Sequence, residues 1–335
     1  LGWAEKKFGP DKLESYLRME TPSVAQLRTL HRVAQACVQV PGAAEALKRG
    51  DEAEFYSALQ PQSHVALALK SYLAEFGGRY PKELKREQPS PLDSYDLLAQ
   101  TPLNAAQHPL PEPHRGDERS IPWGIRKLRQ FIRQREELRL LRSTAFGWLR
   151  RLLLRAGDLA AAQGLLDHRD DVFWLTREEW LETDPTTWRA AVAAQKHAYA
   201  NYRSEPLPRS FAWLPGEEPP RDKATEGSAT MNGHRVVPGR IEGRVLVMPE
   251  FQPGPWPEFD ILVARHTDPG WSLLLAQSKG LVIEQGGLLS HASIVARELG
   301  IPTLVGVDGA SLQLRTGDRI VLDATSGTLY PSTHA

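Results

Sequence analysis

A serine and a histidine closely follow a glycine pair in the segment GGLLSHASIVARELGIPTLVGV, residues 286–307. The preceding GLVIEQ is apolar and β-branched enough for a buried strand. Ser290 is a good N-cap, and the apolar residues after it fall on one side of a helix that ends at Gly300. We therefore expect His291 in the first turn of a short helix.

This position of His291 favours phosphoryl chemistry. A helix N-terminus offers unpaired N–H groups and partial positive charge, which suit phosphate oxygens and disfavour the imidazolium. A neutral imidazole can accept a phosphoryl group and release it again, provided that the ring is within reach of the donor. A surface or capping histidine is the alternative that spacing leaves open. No Cys, His or carboxylate lies at ligand spacing on the same element, so no metal site is predicted.

The residues just before His291 are candidate phosphate-binding positions. We expect Gly286 and Gly287 to take the backbone out of the strand through conformations that other residues resist. Ser290 is placed to hydrogen-bond phosphoryl oxygens, although capping alone would also explain a serine there.

A second set of candidates lies on a long predicted helix, residues 123–155. At 100° per residue, Arg135 and Arg139 fall within its apolar stripe. Arginines on the inner side of a helix require partners. These would be carboxylates such as Glu75 or Glu83, or a phosphoryl group and a polar substrate in a cleft, and the pattern leaves both open.

Composition excludes several classes of function. The 335-residue chain has 41 Lys and Arg against 41 Asp and Glu, so no net basic field recruits nucleic acid or an anionic membrane. One cysteine and the lack of an 18-residue apolar run favour a cytoplasmic protein. A start at Leu1 without methionine suggests a piece of something longer.

The chain divides into segments of different hydrophobic periodicity and composition. Helical periodicity predicts an all-α domain over residues 1–202, with stops that include the glycines at 77–78 and Gly157. A Pro- and Gly-rich linker follows at 203–230, and its length of roughly 30 Å root-mean-square, about 90 Å at full stretch, permits a domain to move. Residues 231–335 predict a mixed domain with one helix. Its predicted strands are GRVLVM, DILVAR, GLVIEQ, TLVGV and RIVLDA.

The segment at residues 267–307, followed by TGDRIVLDATSGTLY at 316–330, resembles the swivelling phosphohistidine domain of phosphoenolpyruvate-utilising enzymes. That family includes phosphoenolpyruvate synthases, pyruvate phosphate dikinases and rifampicin phosphotransferases. The resemblance implies a β/β/α swivelling domain in which His291 becomes phosphorylated. It also implies that Thr267 and Asp268 lie in a loop near the phosphohistidine, an ordinary Asp-Pro turn being the alternative.

The helical half resembles the antibiotic-binding domain of rifampicin phosphotransferases. Residues 72–89 are similar to a Gly-His-Arg…Glu segment, with Gly78 in place of the His and Arg79 at the Arg, a candidate substrate- or phosphate-binding residue. HRDDVFWLTREEW, residues 168–180, resembles an Asp-Asp-Val-Phe-Tyr-Leu segment.

RQREELRLL resembles the Arg-Glu-x-x-Lys segment of the same enzymes, in which the Arg and Lys assist phosphoryl transfer. Arg135 matches the first position and Arg139 stands for the Lys. Because an arginine is a poor proton-transfer group, the resemblance implies charge stabilisation and not acid–base catalysis.

The resemblance implies part of an ATP-dependent, dikinase-type phosphotransferase. An ATP-grasp domain or subunit, absent from this chain and binding ATP and Mg²⁺, would phosphorylate His291, and the small domain would carry the group to a small-molecule hydroxyl. A phosphoenolpyruvate synthase-like carrier for pyruvate is one alternative, disfavoured because no barrel follows the small domain before Ala335. A non-catalytic binding module, or a phosphocarrier acting in trans, is the other. Neither nucleic acid nor a membrane is expected as a partner.

Overall fold

The computed structural model describes residues 2–49, 51–79, 120–200, 230–252 and 256–332. Except for Thr230, the predicted linker lies outside these ranges, as does Glu83.

The chain forms two compact units, Leu1–Gly147 with Ser228–Ala335, and Trp148–Gly227. The domain boundaries predicted from composition, 1–202 and 231–335, stay predictions. In the structure, the helices up to Gly147 belong to the same compact unit as the C-terminal sheet.

Helices build the described N-terminal residues, as the periodicity predicted. The third helix, Pro22–Val38, illustrates the reason. Its buried apolar residues recur three and four positions apart, which places them on one face. The elements before residue 80 are α1 Gly2–Phe8, α2 Pro10–Leu17, α3 Pro22–Val38, α4 Ala43–Arg49, α5 Glu52–Leu59, a 3₁₀ turn at Gln60–Gln62, and α6 Ser63–Phe76. Among the residues described, no helix is both long and apolar enough to cross a membrane.

Helix α7, Trp123–Ala162, runs for 40 residues and is the element on which the candidate arginines lie. It continues past Gly157, so the predicted stop there is wrong. A Cβ at Gly157 would lie 2.1 Å from the carbonyl oxygen of Arg169. The glycine therefore permits the following segment to lie against the helix and does not end it.

Gly78, which stands where the resemblance expects a His, has a packing role. A Cβ there would lie 3.1 Å from the carbonyl oxygen of Ser143 on α7. On the facing helix, a Cβ at Gly147 would lie 3.3 Å from the Cα of Gly78. Paired glycines thus let the end of α6 approach the backbone of α7 closely.

The second unit packs around the C-terminal part of α7. Its core is an apolar cluster that includes Leu166, Val172 and Trp188. The further elements of this unit are a 3₁₀ helix at Arg169–Trp174, α8 Arg177–Glu182, a 3₁₀ turn at Pro185–Thr187, and α9 Trp188–Ala200.

A mixed eight-stranded sheet forms the C-terminal part of the described chain, in the order β1-β8-β7-β3-β4-β5-β6-β2. Strands β3 to β6 are parallel neighbours, and the remaining pairings are antiparallel. The strands are β1 Met231–Asn232, β2 His234–Val237, β3 Arg240–Val247, β4 Ile261–Ala264, β5 Gly280–Ile283, β6 Thr303–Val305, β7 Arg319–Asp323 and β8 Thr328–Pro331.

Helices cover both faces of the parallel strands, which explains why all four residues of β4 and of β5 are buried. Between β4 and β5 lie a 3₁₀ turn, Pro269–Trp271, and α10, Ser272–Gln277; α11, His291–Leu299, and α12, Ala310–Gln313, follow. All five predicted strands and the predicted helix at α11 are confirmed.

The close approach at Gly157 predicts a specific sensitivity. Gly157→Ala should lower the free energy of unfolding of residues 148–227 by about 1–3 kcal/mol, because the new methyl group overlaps the Arg169 carbonyl group. Urea denaturation followed by tryptophan fluorescence measures the effect. Gly124→Ala is the matched control, since a Cβ at this other α7 glycine meets no atom within 4 Å. Equal urea midpoints for Gly157→Ala and the wild type would contradict the packing role.

Candidate active site

Local signals position His291 as the first residue of α11. The side chain of Ser290 caps the helix, accepting a hydrogen bond from the backbone N–H of Ser293 at 3.4 Å. Gly300 ends it in the left-handed conformation, with φ of 68°, and donates its N–H to the carbonyl of Ala296. The predicted cap and stop are both confirmed.

The glycine pair acts differently from the expectation. Neither Gly286 nor Gly287 is among the glycines with positive φ, so the predicted special conformations are wrong. Close packing is the physical reason for a glycine at 286, because a Cβ there would lie 3.1 Å from Ser290 Oγ. The carbonyl of Gly287 accepts hydrogen bonds from the Ser290 N–H at 2.9 Å and from Ser293 Oγ at 2.8 Å.

The imidazole of His291 is enclosed on both sides. Its Nε2 lies 3.3 Å from Ser272 Oγ, and its Nδ1 lies 3.6 Å from Glu136 Oε2 on α7. Only 2% of the residue is exposed to solvent. The ring is thus buried away from water in this arrangement, because α7 covers one side of it and Ser272 the other.

Burial also sets the charge of the ring. It lowers the pKa of His291 below the ordinary value, and the positive charges of Arg139 and Arg79 act in the same direction, while Glu136 opposes them. The direction agrees with the neutral imidazole predicted from the helix N-terminus, but the larger cause is desolvation. For Glu136 itself, burial opposes ionisation, yet His291, Arg139 and Ser23 together lower its pKa to about 2. These directions favour a neutral imidazole beside an ionised Glu136, whose charge Arg139 and Ser23 stabilise.

Glu136 and Arg79 belong to one buried polar network. Ser23 Oγ donates to Glu136 Oε2 at 2.9 Å and accepts from Arg79 Nη1 at 3.0 Å. Arg79 Nη1 also lies 3.3 Å from Gln26 Oε1. Glu136 has no exposed surface, and Arg79 is 4% exposed. The predicted phosphate-binding residue Arg79 therefore supports the carboxylate that faces His291.

The two predicted catalytic arginines lie beside this network. Arg135 donates from Nη1 to the carbonyl oxygen of Leu289, two residues before His291. Arg139 lies 3.6 Å from Glu136 Oε1 through its Nη1. The carboxylate beside Arg139 is thus Glu136, on the same helix, and not Glu75.

The predicted inner face of α7 is correct in part. Ile125 and Ile132 are buried, whereas Phe131 and Leu138, apolar residues of the same predicted stripe, are 67% and 66% exposed. Arg135 lies on the exposed side with them. The helix also buries Glu136 and Ser143. Its packed side in this region carries the polar network, so apolar residues alone misplace it.

These exposed side chains line an open groove of about 590 Å³. Apolar and cationic groups alternate along it. Its lining residues are Phe131, Gln134, Arg135, Leu138, Arg139 and Arg142.

The loop before His291 is held by a second arginine. Arg297, on α11 itself and 6% exposed, donates from Nη1 to the carbonyl oxygen of Leu288 at 2.5 Å. Since Arg135 binds the next carbonyl group, two consecutive carbonyl groups are bound from different elements.

The loop TDPGW, residues 267–271, contributes to the site through the residue that directly follows it. Asp268 Oδ1 accepts the Gly270 N–H at 2.9 Å and starts the 3₁₀ turn, with the half-buried Thr267 before it. This turn leads directly to Ser272, the residue that reaches the imidazole. The sequence analysis gave no role to Ser272, which lies within the 267–307 segment, or to Glu136, which matches the Glu of the Arg-Glu-x-x-Lys segment.

A family model supplies the deciding observation. The model described as "PEP-utilising enzyme, mobile domain" matches residues 256–327, which include the TDPGW turn, His291 and α11. These residues are therefore similar to the mobile domain of PEP-utilising enzymes. The match confirms the resemblance on the segment that carries the histidine.

Relatives extend the similarity into the helices that precede the mobile domain. A rifampicin phosphotransferase of Streptomyces sviceus is 35% identical over 210 residues, covering 61% of this chain and 24% of the relative. An uncharacterised protein of Mycobacterium tuberculosis is 31% identical over 280 residues, with 81% and 32% covered. A prodigiosin synthesizing transferase of Serratia marcescens is 30% identical over 298 residues, with 77% and 32% covered. The chain thus spans between a quarter and a third of the length of these relatives.

Glu298 provides a further acidic contact between the mobile domain and the helices. Its Oε2 accepts the backbone N–H of Thr21 at 3.3 Å, and its Oε1 is enclosed without a hydrogen-bond partner among the described residues. Burial raises the pKa of Glu298 to about 8, and the charges of Glu136 and Glu20 act in the same direction. The carboxyl group is therefore mostly protonated at neutral pH.

The raised pKa of Glu298 predicts a pH dependence of stability. Because the pKa is higher in the folded state than in the unfolded one, the stabilisation is complete below about pH 4.5, declines as the pH rises, and is lost above about pH 8. Each tenfold difference in proton affinity of Glu298 between the folded and the unfolded state changes the free energy of unfolding by about 1.4 kcal/mol. The permanently neutral Glu298→Gln should escape this decline and gain stability relative to the wild type across that window.

Urea unfolding at a series of pH values checks the prediction. The exposed Glu258→Gln serves as the control and should follow the wild-type profile. Parallel pH profiles for the wild type and Glu298→Gln would show that this carboxyl group is not held neutral.

Proposed function

We propose that this chain is part of an ATP-dependent phosphotransferase in which His291 carries a phosphoryl group to a small-molecule hydroxyl. One observation carries the proposal. The histidine of the mobile domain lies against α7 at the Arg135–Glu136–Arg139 segment, so the proposed carrier meets the proposed acceptor helix through its reactive ring.

The charges at this junction suit phosphoryl delivery. A neutral imidazole has a lone pair able to form a bond to phosphorus, and it is released again as a neutral leaving group. Arg135 and Arg139 would stabilise the negative charge that spreads over the phosphoryl oxygens in the transition state. Neither residue needs to transfer a proton for this role.

Burial of the ring requires a moving carrier. With 2% of His291 exposed, this arrangement has the mobile domain docked on the helices, closed to a nucleotide site. We propose that a β/β/α swivelling domain alternates between this docked position and a separate loading site, with the predicted linker at 203–230 allowing the excursion. The docked position then corresponds to the acceptor side of the cycle.

ATP and Mg²⁺ would be bound by an ATP-grasp domain or subunit and would supply the activated phosphoryl group. In the part of the chain that the structure describes, no group of three or more His, Cys, Asp and Glu side chains could hold a metal ion. No step is assigned to a nucleotide–metal site among the described residues.

The names of two relatives bear on the class of acceptor. The relatives' names include a rifampicin phosphotransferase and a transferase that synthesises prodigiosin, so we propose an organic acceptor of moderate size. The groove beside Arg135 and Arg139, of about 590 Å³, has a volume suited to such a molecule.

A second candidate is a binding module whose histidine no longer carries phosphate. The enclosed ring favours it, since an imidazole held between Ser272 and Glu136 also serves as a structural contact. Phosphorylation of the chain by an ATP-grasp partner separates the two candidates.

The carrier function predicts a single labelled residue. With [γ-³²P]- and [β-³²P]ATP, Mg²⁺ and an ATP-grasp domain from a rifampicin phosphotransferase, the wild type should acquire an acid-labile, base-stable label, and His291→Ala should acquire none. His266→Ala is the control, because His266 is an exposed histidine of the same domain. An unlabelled wild-type chain, with the partner active on its own carrier domain, would favour the binding module.

The docked arrangement predicts a role for Arg135 in delivery. Arg135→Ala should slow loss of the label to an acceptor by about tenfold or more, because it removes both a cation and the contact with Leu289. Loading of His291 should keep its rate. Arg133→Ala, an exposed arginine on the same helix, is the control for single-turnover transfer. Equal losses of loading and delivery would place Arg135 outside the delivery step.

A further inference from the structure

Glu136 is a buried carboxylate that the family resemblance did not single out. It has no exposed surface, and its Oε2 lies 3.6 Å from His291 Nδ1 while accepting the hydroxyl hydrogen of Ser23 at 2.9 Å. The Nδ1 atom is itself enclosed without a hydrogen-bond partner among the described residues. A movement of about half an ångström would bring the two atoms into hydrogen-bond range.

The two nitrogens of the ring meet different chemistry. Ser272 Oγ, beside Nε2, is a hydroxyl that donates to the Pro269 carbonyl at 2.7 Å and can also accept or, after rotation, donate to the ring. An ionised Glu136 can only accept. A neutral imidazole carries a single N–H, and hydrogen bonds to a charged acceptor are about twice as strong as neutral ones. The carboxylate therefore selects Nδ1 as the site of the hydrogen.

We propose that Glu136 is a positioning residue that holds the hydrogen of His291 on Nδ1 and leaves the lone pair of Nε2 to bind phosphorus. The proposal rests on the carrier function of His291 given above. It assigns to a helix outside the mobile domain the choice of the reacting nitrogen.

The choice of tautomer matters when the phosphoryl group leaves. An acceptor hydroxyl oxygen bonds to phosphorus, the electron pair of the P–N bond returns to Nε2, and the hydroxyl proton passes to solvent. With a hydrogen on Nδ1, the released group is a neutral imidazole and not an imidazolate. Because Glu136 lies on α7, it acts on the ring only in the docked arrangement, which is where delivery is proposed.

A purely structural role for Glu136 makes a different prediction. In that case its contacts with Ser23 and Arg139 would stabilise the helices, and the imidazole would be indifferent to the charge beside it. Loss of stability alone does not separate the two roles. The hydrogen position on the ring does.

Long-range ¹H–¹⁵N correlation spectra of the full chain, labelled with ¹⁵N-histidine, report this position directly. His291→Ala assigns the signals. We expect the Nδ1–H form to predominate in the wild type. In Glu136→Gln the ratio should shift by roughly tenfold toward Nε2–H, because a carboxamide can donate to Nδ1 and the charge is gone. Glu136→Asp, which keeps the charge, should restore the wild-type tautomer.

Two further variants serve as controls for changes in folding. Ser23→Ala removes a partner of Glu136 but leaves the carboxylate, so the Nδ1–H form should persist. Glu137→Gln changes an exposed neighbour on α7 and should have no effect. An Nε2–H wild type, or an unchanged ratio in Glu136→Gln, overturns the proposal. The measurement uses neither ATP nor acceptor, so its failure is distinct from a failure of His291 to be phosphorylated.

Discussion

A carboxylate without solvent contact must be compensated where it lies, because an uncompensated buried ion costs several kcal/mol. Glu136 accepts the hydroxyl hydrogen of Ser23, and the guanidinium of Arg139 and the imidazole of His291 each lie 3.6 Å from one of its oxygens. Two of these belong to the helices and one to the mobile domain. The docked position is therefore coupled to the electrostatics of the helices, and separation removes one of the groups that hold the negative charge.

Apolar packing accompanies this electrostatic contact. Ile294, one turn after His291, belongs to a buried cluster with residues of α1, α2 and α7, such as Leu13 and Ile125. On the other side of the ring, α10 and α11 pack against the sheet through Leu274 and Val295. The interface thus combines a modest apolar contact with a few charged ones. Such a combination suits a domain that docks in one orientation and can also leave.

The parts of the fold that were predicted from the sequence depend on local signals. Ser290 and Gly300 act within α11 itself, and the buried parallel strands are apolar throughout, so short stretches of sequence sufficed for both. The short strands β1 and β2 were missed because they depend on distant partners, as β2 does on β6. Strand β8 was also missed, although it pairs with the neighbouring β7.

The candidate site was predicted less completely for the same reason. His291 and the arginines of α7 were identified by residue type and resemblance, whereas Glu136 has a side chain that is ordinarily exposed. Its burial results from the docking of a helix more than 150 positions later in the chain, which no periodicity within α7 encodes. Glu136 thus lies on the packed side of the helix with Ile132, whereas Arg135, predicted on that side, is exposed.

Under the proposed movement of the mobile domain, the two arginine contacts on the loop before His291 would behave differently. Arg297 and Leu288 both belong to the mobile domain, so their hydrogen bond moves with the histidine. The bond from Arg135 to Leu289 joins the mobile domain to α7 and must break. One carbonyl group is thus exposed to water at each departure while its neighbour stays bound. His291 would therefore reach the proposed loading site on a loop that Arg297 still holds in the same conformation.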